Sequence, residues 1–325
     1  MYKPSTKNAW VGRTDSLDGA QGVRWHQAIQ FLNLSEPIPG VEQGEVAFAF
    51  LGFCSDEGVN RNMGRVGAAT GPAALRSAMA SFAHHLPQHV HLFDAGDVIC
   101  TNQHLEEAQE QLGRKVALLL KHGYRPLVLG GGHEIAYGHY LGLERAVAGK
   151  TLGILNFDAH FDLRNYAQQP SSGTPFLQIA DRSHAHGDAL KYKVIGLQEY
   201  GNTRILFQTA DRLRVDYTFA EDVQPHNLPQ LTAQLNRFLD AVDKVYITVD
   251  LDVFAAGYAP GVSAVNALGL QPEVVLALLK TVAKSGKLLS IDIAELNPAL
   301  DIDNRTAKLG AAILYQVVSS WSKAQ

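Results

Sequence analysis

The sequence predicts a three-layer α/β/α fold built on a mostly parallel, eight-stranded sheet. Three observations point to it. Eight short apolar runs rich in β-branched residues recur, segments of helical spacing separate them, and no repeat or low-complexity linker divides the 325 residues. Runs that are apolar throughout suit strands buried on both faces, and parallel strands need crossovers of helical length. A chain of this length can close as one α/β unit, so a single domain is expected over residues 1–325.

The strands are expected near residues 46–53, 90–95, 126–129, 152–158, 193–197, 214–219, 245–250 and 288–293. Residues 72–82 carry Ala, Leu and Met on one helical face and open on Pro72, a favoured first helical residue. Residues 105–120 begin with Glu106 and Glu107, and 272–283 with Pro272, both good helix starts. Further helices are expected over 135–146 and, closing the chain, 306–321. Residues 1–45 show no clear period and are expected to pack on the domain as an arm. The stretches 55–71 and 164–174 are irregular, and each follows a strand end. Ligands in open α/β sheets bind beyond the carboxyl ends of the strands, which is where a site is expected.

Composition removes several classes. With 28 basic against 32 acidic residues, nothing favours nucleic acid or an anionic membrane surface. Cys54 and Cys100 make no disulfide framework and suit a reducing compartment. No apolar run approaches membrane-spanning length, and residues 1–13 lack the apolar core of a secretory signal. A cytoplasmic enzyme acting on a small molecule is the default expectation, although many binding proteins share such a composition.

Three motifs carry chemistry. The first is Asp158-Ala159-His160-Phe161-Asp162, at the end of an expected strand. Spacing of two in extended chain puts three ligand-type side chains on one side. A lone Asp-x-His often only caps a turn, but three such residues are harder to read that way. The second is Asp250-Leu251-Asp252, closing the apolar run 245–249. Two carboxylates there repel one another unless a cation neutralises them. The third is Gly130-Gly131-Gly132-His133, between a strand and a helix. Alone, such a turn more often suggests phosphate binding, but His133-Glu134 stands where a Walker motif needs Lys-Ser/Thr. The glycines are expected to let the backbone turn tightly and present His133.

Together these are two imidazoles and four carboxylates, whose negative charges balance two divalent cations. Oxygen-rich ligation with some imidazole suits Mn2+, whereas zinc usually takes fewer ligands, with thiolate or more imidazole. Two metals about 3.5–4 Å apart can share a bridging hydroxide, a nucleophile available at neutral pH.

In this order and across most of the chain, the three segments resemble the signatures of the ureohydrolase family: arginases, agmatinases and formimidoylglutamases. The resemblance implies an arginase-like fold, a homo-oligomer and two Mn2+ per chain. One would be bound by His133, Asp158, Asp162 and Asp250, the other by Asp158, His160, Asp250 and Asp252, with Asp158 and Asp250 bridging. Locally the chain looks more like the formimidoylglutamase branch. Gly131-Gly132-His133-Glu134 stands where the other branches usually carry Gly-Gly-Asp-His. The stretches Ser55-Asp56-Glu57-Gly58-Val59-Asn60-Arg61-Asn62, Trp10-Val11-Gly12-Arg13 and Ala259-Pro260-Gly261-Val262-Ser263-Ala264 are similar to that branch too. Before Gly173-Thr174-Pro175-Phe176, Ser172 replaces the histidine of agmatinases. Serine cannot shuttle protons near neutral pH as histidine does.

The reaction this branch implies is hydrolysis of N-formimidoyl-L-glutamate to L-glutamate and formamide, in histidine degradation, by attack of a metal-bridging hydroxide on the amidine carbon. Glu295 matches the family's substrate-clamping glutamate and would pair with the planar amidinium; the alternative is a structural charge at a strand exit. Asp162 would take the hydroxide proton and pass it to the departing amine. The glutamate end carries two carboxylates and asks for arginine forks. Arg61, Arg65 and Arg164 are the candidates, Arg164 and Arg61 being preferred, and each could equally be a surface arginine paired with Asp56 or Glu57. Asn165, Ser171 and Ser172 would add neutral hydrogen bonds. Glu134 either steadies a ligand or is an ordinary acid in a helix's first turn. Two other readings stay open: activity on agmatine, guanidinobutyrate or arginine, and a non-catalytic metal-binding relative that has kept the fold.

Overall fold

The computed structural model describes residues 1–147 and 149–324, and among these ten strands form one sheet. In chain order they are β1 (Tyr2–Lys3), β2 (Gln30–Phe31), β3 (Val46–Cys54), β4 (Val90–Ile99), β5 (Arg125–Leu129), β6 (Leu152–Phe157), β7 (Lys191–Leu197), β8 (Asp216–Phe219), β9 (Lys244–Asp250) and β10 (Leu288–Ala294). Across the sheet the order is β1-β4-β3-β5-β10-β9-β6-β7-β8, with β2 also on β4. Every pairing is parallel except β1 with β4.

All eight expected strands are present, and the expected count is corrected to ten. The two additions are two residues long, too short for any hydrophobic period to register. Both lie in the stretch 1–45 and pair with β4, Tyr2 opposite Val98 and Gln30 opposite Phe93. That stretch therefore adds hydrogen bonds to the sheet as well as packing.

The helices are α1 (Trp25–Ala28), α2 (Glu57–Arg61), α3 (Gly71–Ala80), α4 (Leu105–Lys121), α5 (Ile135–Ala146), α6 (Pro175–Ala185), α7 (Arg204–Leu213), α8 (Leu228–Asp240), α9 (Pro272–Lys284) and α10 (Arg305–Trp321). Alternation along β3 divides the core in two. Phe48 and Phe50 join Leu75 of α3, Leu235 of α8, Leu278 of α9 and Leu314 of α10. Ala49, Leu51 and Phe53 join Leu112 of α4, Ile135 of α5, Ile179 of α6 and Leu206 of α7. Burying each large apolar side chain is worth about 1.5–3 kcal/mol, so a sheet apolar on both faces must be covered on both. No helix among the described residues is long and apolar enough to cross a membrane.

At the β4 end a buried ionic network ties the N-terminal stretch down. Arg76 of α3 pairs with Asp94 at 2.8 Å and Asp97 at 2.7 Å. Asp94 also accepts from Trp10 Nε1 at 2.6 Å and Ser5 Oγ at 2.8 Å.

Candidate metal centre

The segments leaving β3, β5, β10, β9 and β6, five neighbouring strands, converge beyond the carboxyl edge of the sheet. They enclose a cavity of about 280 Å3 whose wall includes His133, His160, Asp162, Asp250, Asp252 and Glu295. His133 Nδ1 lies 3.1 Å from an oxygen of Asp158, 2.9 Å from Asp162 and 3.2 Å from Asp250. His160 Nδ1 lies 3.2 Å from Asp252 and 3.4 Å from Asp158. Two groups of donor atoms result, each within a 4.8 Å span: His133, Asp158 and Asp250, and Asp158, His160 and Asp252. Asp158 belongs to both groups. Asp250 falls in the first group only, and Asp162 meets the cluster at His133.

Local backbone geometry explains the convergence, and it differs from simple extended spacing. Strand β6 ends at Phe157, before the motif. The chain then bends, with His160 N–H donating to Asp158 Oδ1 at 2.7 Å and Asn156 Nδ2 to Asp158 Oδ2 at 2.9 Å. Asp162 sits at φ 48°, left-handed for a residue with a Cβ, which returns its carboxylate to the cluster. Asp250 is fixed at the end of β9 by the Asp252 N–H, 2.8 Å from its Oδ1. The role expected of the glycines also changes. None of Gly130, Gly131 and Gly132 has positive φ. Space is what they supply: a Cβ would strike the Ile293 carbonyl at Gly130, the Ser55 carbonyl at Gly131 and the Glu134 carboxylate at Gly132.

Charge is concentrated here, and among the described residues the clustered carboxylates form ion pairs only with the two imidazoles, not with the arginines of the cavity wall. Burial, then the carboxylates of Asp252 and Asp158, hold Asp250 well above the usual carboxylate range. Asp252 is pushed up to about 6 by burial, with His160 pulling the other way. Burial acts to lower both imidazoles but is outweighed, by Asp158, Asp162 and Asp250 at His133 and by Asp252 and Asp158 at His160, so both are raised. Three carboxylate oxygens crowd His133 Nδ1, yet none is aligned to accept a hydrogen bond from it, and the buried Asp252 Oδ1 likewise has no partner. Lone pairs of carboxylates and imidazoles aimed at common points are the donor chemistry of divalent cations, so the residues present fit such a centre.

Around this cluster the predicted residues divide. Glu295 follows β10 at φ 65°; its Oε1 accepts the His133 N–H at 2.8 Å, and burial, then Asp250 and Glu134, raise its pKa well above normal. Arg164 and Ser172 line the cavity. Arg61 does not: it is bound to Glu57 at 2.9 Å, Glu106 at 2.6 Å and the Gln103 carbonyl at 2.9 Å. Asn165 is also misplaced, since its side-chain oxygen accepts the Ala167 N–H at 2.8 Å and it borders a neighbouring groove with Leu177 and Thr203. Arg65 takes Arg61's place on the cavity wall, its guanidinium held at 2.9 Å by the carbonyls of Ser263 and Val262. Glu134 proves to be a support: fully buried, its Oε1 accepts from Ser55 Oγ at 2.8 Å and Gly58 N–H at 2.9 Å. Asn202 had no sequence signal. Its Oδ1 accepts the Phe161 N–H and its Nδ2 donates to the Ala159 carbonyl, both at 3.0 Å, so it clamps the turn that carries His160.

A parallel sheet in this order, with acids and imidazoles gathered at its carboxyl edge, defines the class: the chain belongs to the arginase family, whose model matches residues 46–319. Among the curated relatives, formimidoylglutamase of Chromobacterium violaceum is 47% identical over 310 residues, 95% of this chain and 96% of that one. Formimidoylglutamase of Rhodococcus opacus is 47% identical over 313 residues, 95% of this chain and 94% of its own. Among solved structures, Trypanosoma cruzi formiminoglutamase with Mn2+ superposes with a TM-score of 0.77 at 26% identity, covering 87% of this chain and 97% of that one.

Proposed function

We propose that the chain hydrolyses N-formimidoyl-L-glutamate to L-glutamate and formamide, in histidine degradation, using two Mn2+ held by His133, Asp158, His160, Asp162, Asp250 and Asp252. The observation that carries the substrate is the 47% identity, over nearly the full length of both chains, to proteins named formimidoylglutamase. The buried donor set supports the metals, and the likeness to a formiminoglutamase crystallised with Mn2+ supports their identity. When bound, such a pair would supply a hydroxide nucleophile at neutral pH and stabilise the charge on the heteroatoms bound to the reacting carbon.

The protein's own groups do the rest. Glu295 has one oxygen committed to the His133 N–H, leaving the other for an amidinium N–H at the cavity wall. Asp162 takes a proton on its carboxylate and returns it to the departing amine. Arg164 and Arg65 receive the two carboxylates of the glutamate end, and Ser172 adds a neutral hydrogen bond. The whole chain acts as one catalytic domain in a cytoplasmic homo-oligomer; the free thiols of Cys54 and Cys100 are in keeping with a reducing compartment.

The test is a substrate panel with the Mn2+-loaded protein. Formamide and glutamate should appear from formimidoylglutamate faster than urea from arginine, agmatine or guanidinobutyrate. Faster urea release from any of the guanidines overturns the assignment.

A further inference from the structure

Beneath the metal cluster, five polar side chains are wholly buried between α5 and the sheet: His139, Tyr246, Thr248, Ser290 and Asp292. Apolar residues would fill such a place without the desolvation cost that these carry. They form one connected chain that ends on His133. Its Nε2, the ring nitrogen facing away from the cluster, is 3.0 Å from Thr248 Oγ1. Thr248 Oγ1 donates at 2.5 Å to Asp292 Oδ1. The other Asp292 oxygen accepts from Tyr246 Oη and from His139 Nδ1. His139 Nε2 lies 2.7 Å from Ser290 Oγ, whose proton goes to the Pro126 carbonyl at 2.8 Å.

Proton counting gives this chain a direction. A hydroxyl has one proton, and an ionised carboxylate only accepts. Once Thr248 has given its proton to Asp292, its oxygen can only accept from His133, so Nε2 must carry hydrogen. The other nitrogen, Nδ1, is then left to present a lone pair to a cation among Asp158, Asp162 and Asp250. Both His139 nitrogens are engaged as well, Nδ1 by Asp292 and Nε2 by Ser290, which fixes the ring against Asp292. We propose that Asp292, acting through Thr248, is a positioning residue that holds His133 in its Nε2–H form, with Tyr246 and His139 keeping Asp292 in place. Partners of this kind set the tautomer of a ligating imidazole and are worth about 10–100-fold in metal affinity. The inference rests on His133 being a metal ligand, as proposed above.

Titration of the purified, metal-stripped chain with Mn2+, read from the electron paramagnetic resonance of the free ion, tests it without reference to turnover. Thr248→Val keeps the shape but removes the acceptor; Asp292→Asn offers an amide N–H that lets Thr248 donate to His133 instead. Both should weaken binding of one Mn2+ by about 10–100-fold, while Thr248→Ser stays within about threefold of the parent. Parent-like affinity in Thr248→Val or Asp292→Asn overturns the inference, as does a Thr248→Ser protein as weak as Thr248→Val. If Asp292→Asn does not fold, the two Thr248 variants decide. A parent protein that takes up no Mn2+ sinks the ligand assignment first, and this inference with it.

Discussion

Asp162 and Glu295 hold left-handed backbone conformations at φ 48° and 65° although both carry side chains, and both face the cavity. Each such residue costs on the order of 1–3 kcal/mol, which the surrounding hydrogen bonds and packing must offset. Neither value could be read from the sequence, whereas the identities of the six clustered side chains could, because three motifs at strand ends announce them. Asp252→Ala should remove one metal and lower turnover by at least about 100-fold with the circular dichroism unchanged; two retained metals with full activity would count against its place in the cluster. The charge pattern gives a pH prediction. Asp250 and Asp252, the latter at about 6, and both imidazoles have raised folded-state pKa values. Stability from a raised group is complete below its unfolded-state value and is lost as pH climbs through the folded one. Asp158, held low, is ionised in both states across pH 5–8 and adds no slope there. The metal-free protein should therefore melt lower at pH 8 than at pH 5, and the rise in Tm on adding Mn2+ should be larger at pH 8. Calorimetry at the two pH values checks this, and an equal rise at both would separate the cation from these groups. The arginines were legible only as a set. Glu106, the partner that removes Arg61 from the site, is 45 residues away in sequence. Arg65→Gln and Arg164→Gln should each raise KM for formimidoylglutamate about tenfold with a smaller change in kcat. Arg61→Gln should lower Tm and leave KM near the parent value.

Strands were read more completely than helices. Most of the eight strands longer than two residues announce themselves as apolar runs, because a parallel sheet covered on both faces has no polar side to break the pattern; β8, Asp-Tyr-Thr-Phe at the sheet edge, is the weakest of them. Helix α5 spans 135–146 as expected, and α3, α4, α9 and α10 differ from expectation by a residue or two. Helices α1, α2, α6, α7 and α8 have no counterpart among the expected ones, and α2 falls in the stretch 55–71 expected to be irregular. Along α7 only Leu206 and Ala210 are buried, so its apolar face is a thin stripe on a polar segment. Arg214, expected to begin β8, instead caps α7 at φ 56°. The N-terminal stretch was expected to pack, but its tie to α3 and β4 runs through Asp94, a contact across 84 residues from Trp10 and 18 from Arg76. Arg76→Ala would leave Asp94 buried with its main counter-charge gone, at a cost of about 3–5 kcal/mol. Urea unfolding should show that loss, while KM for formimidoylglutamate stays unchanged. A cost below about 1 kcal/mol would mean that the network is not holding this end of the sheet.

The whole sheet is assembled out of chain order. Strand β10, the last to be made, lies at its centre, hydrogen-bonded to β5 on one side and β9 on the other. A chain ending before residue 288 would expose two inner strand edges and lack Glu295. It should be insoluble or bind no Mn2+, as solubility and metal analysis would show; a soluble, metal-binding fragment would contradict this dependence. The same strand order sets a timetable on the ribosome. Between the end of β5 at Leu129 and the start of β10 at Leu288 the ribosome must add 288 − 129 = 159 residues. At about 5–20 residues per second, this amounts to roughly 8–32 s. Through that interval the nascent protein carries an unpaired inner edge, a binding platform for chaperones and for other unfinished copies. All six proposed metal ligands are in the chain by Asp252, yet the sheet that positions them closes only when β10 is added, so the centre must wait for a strand that supplies none of them.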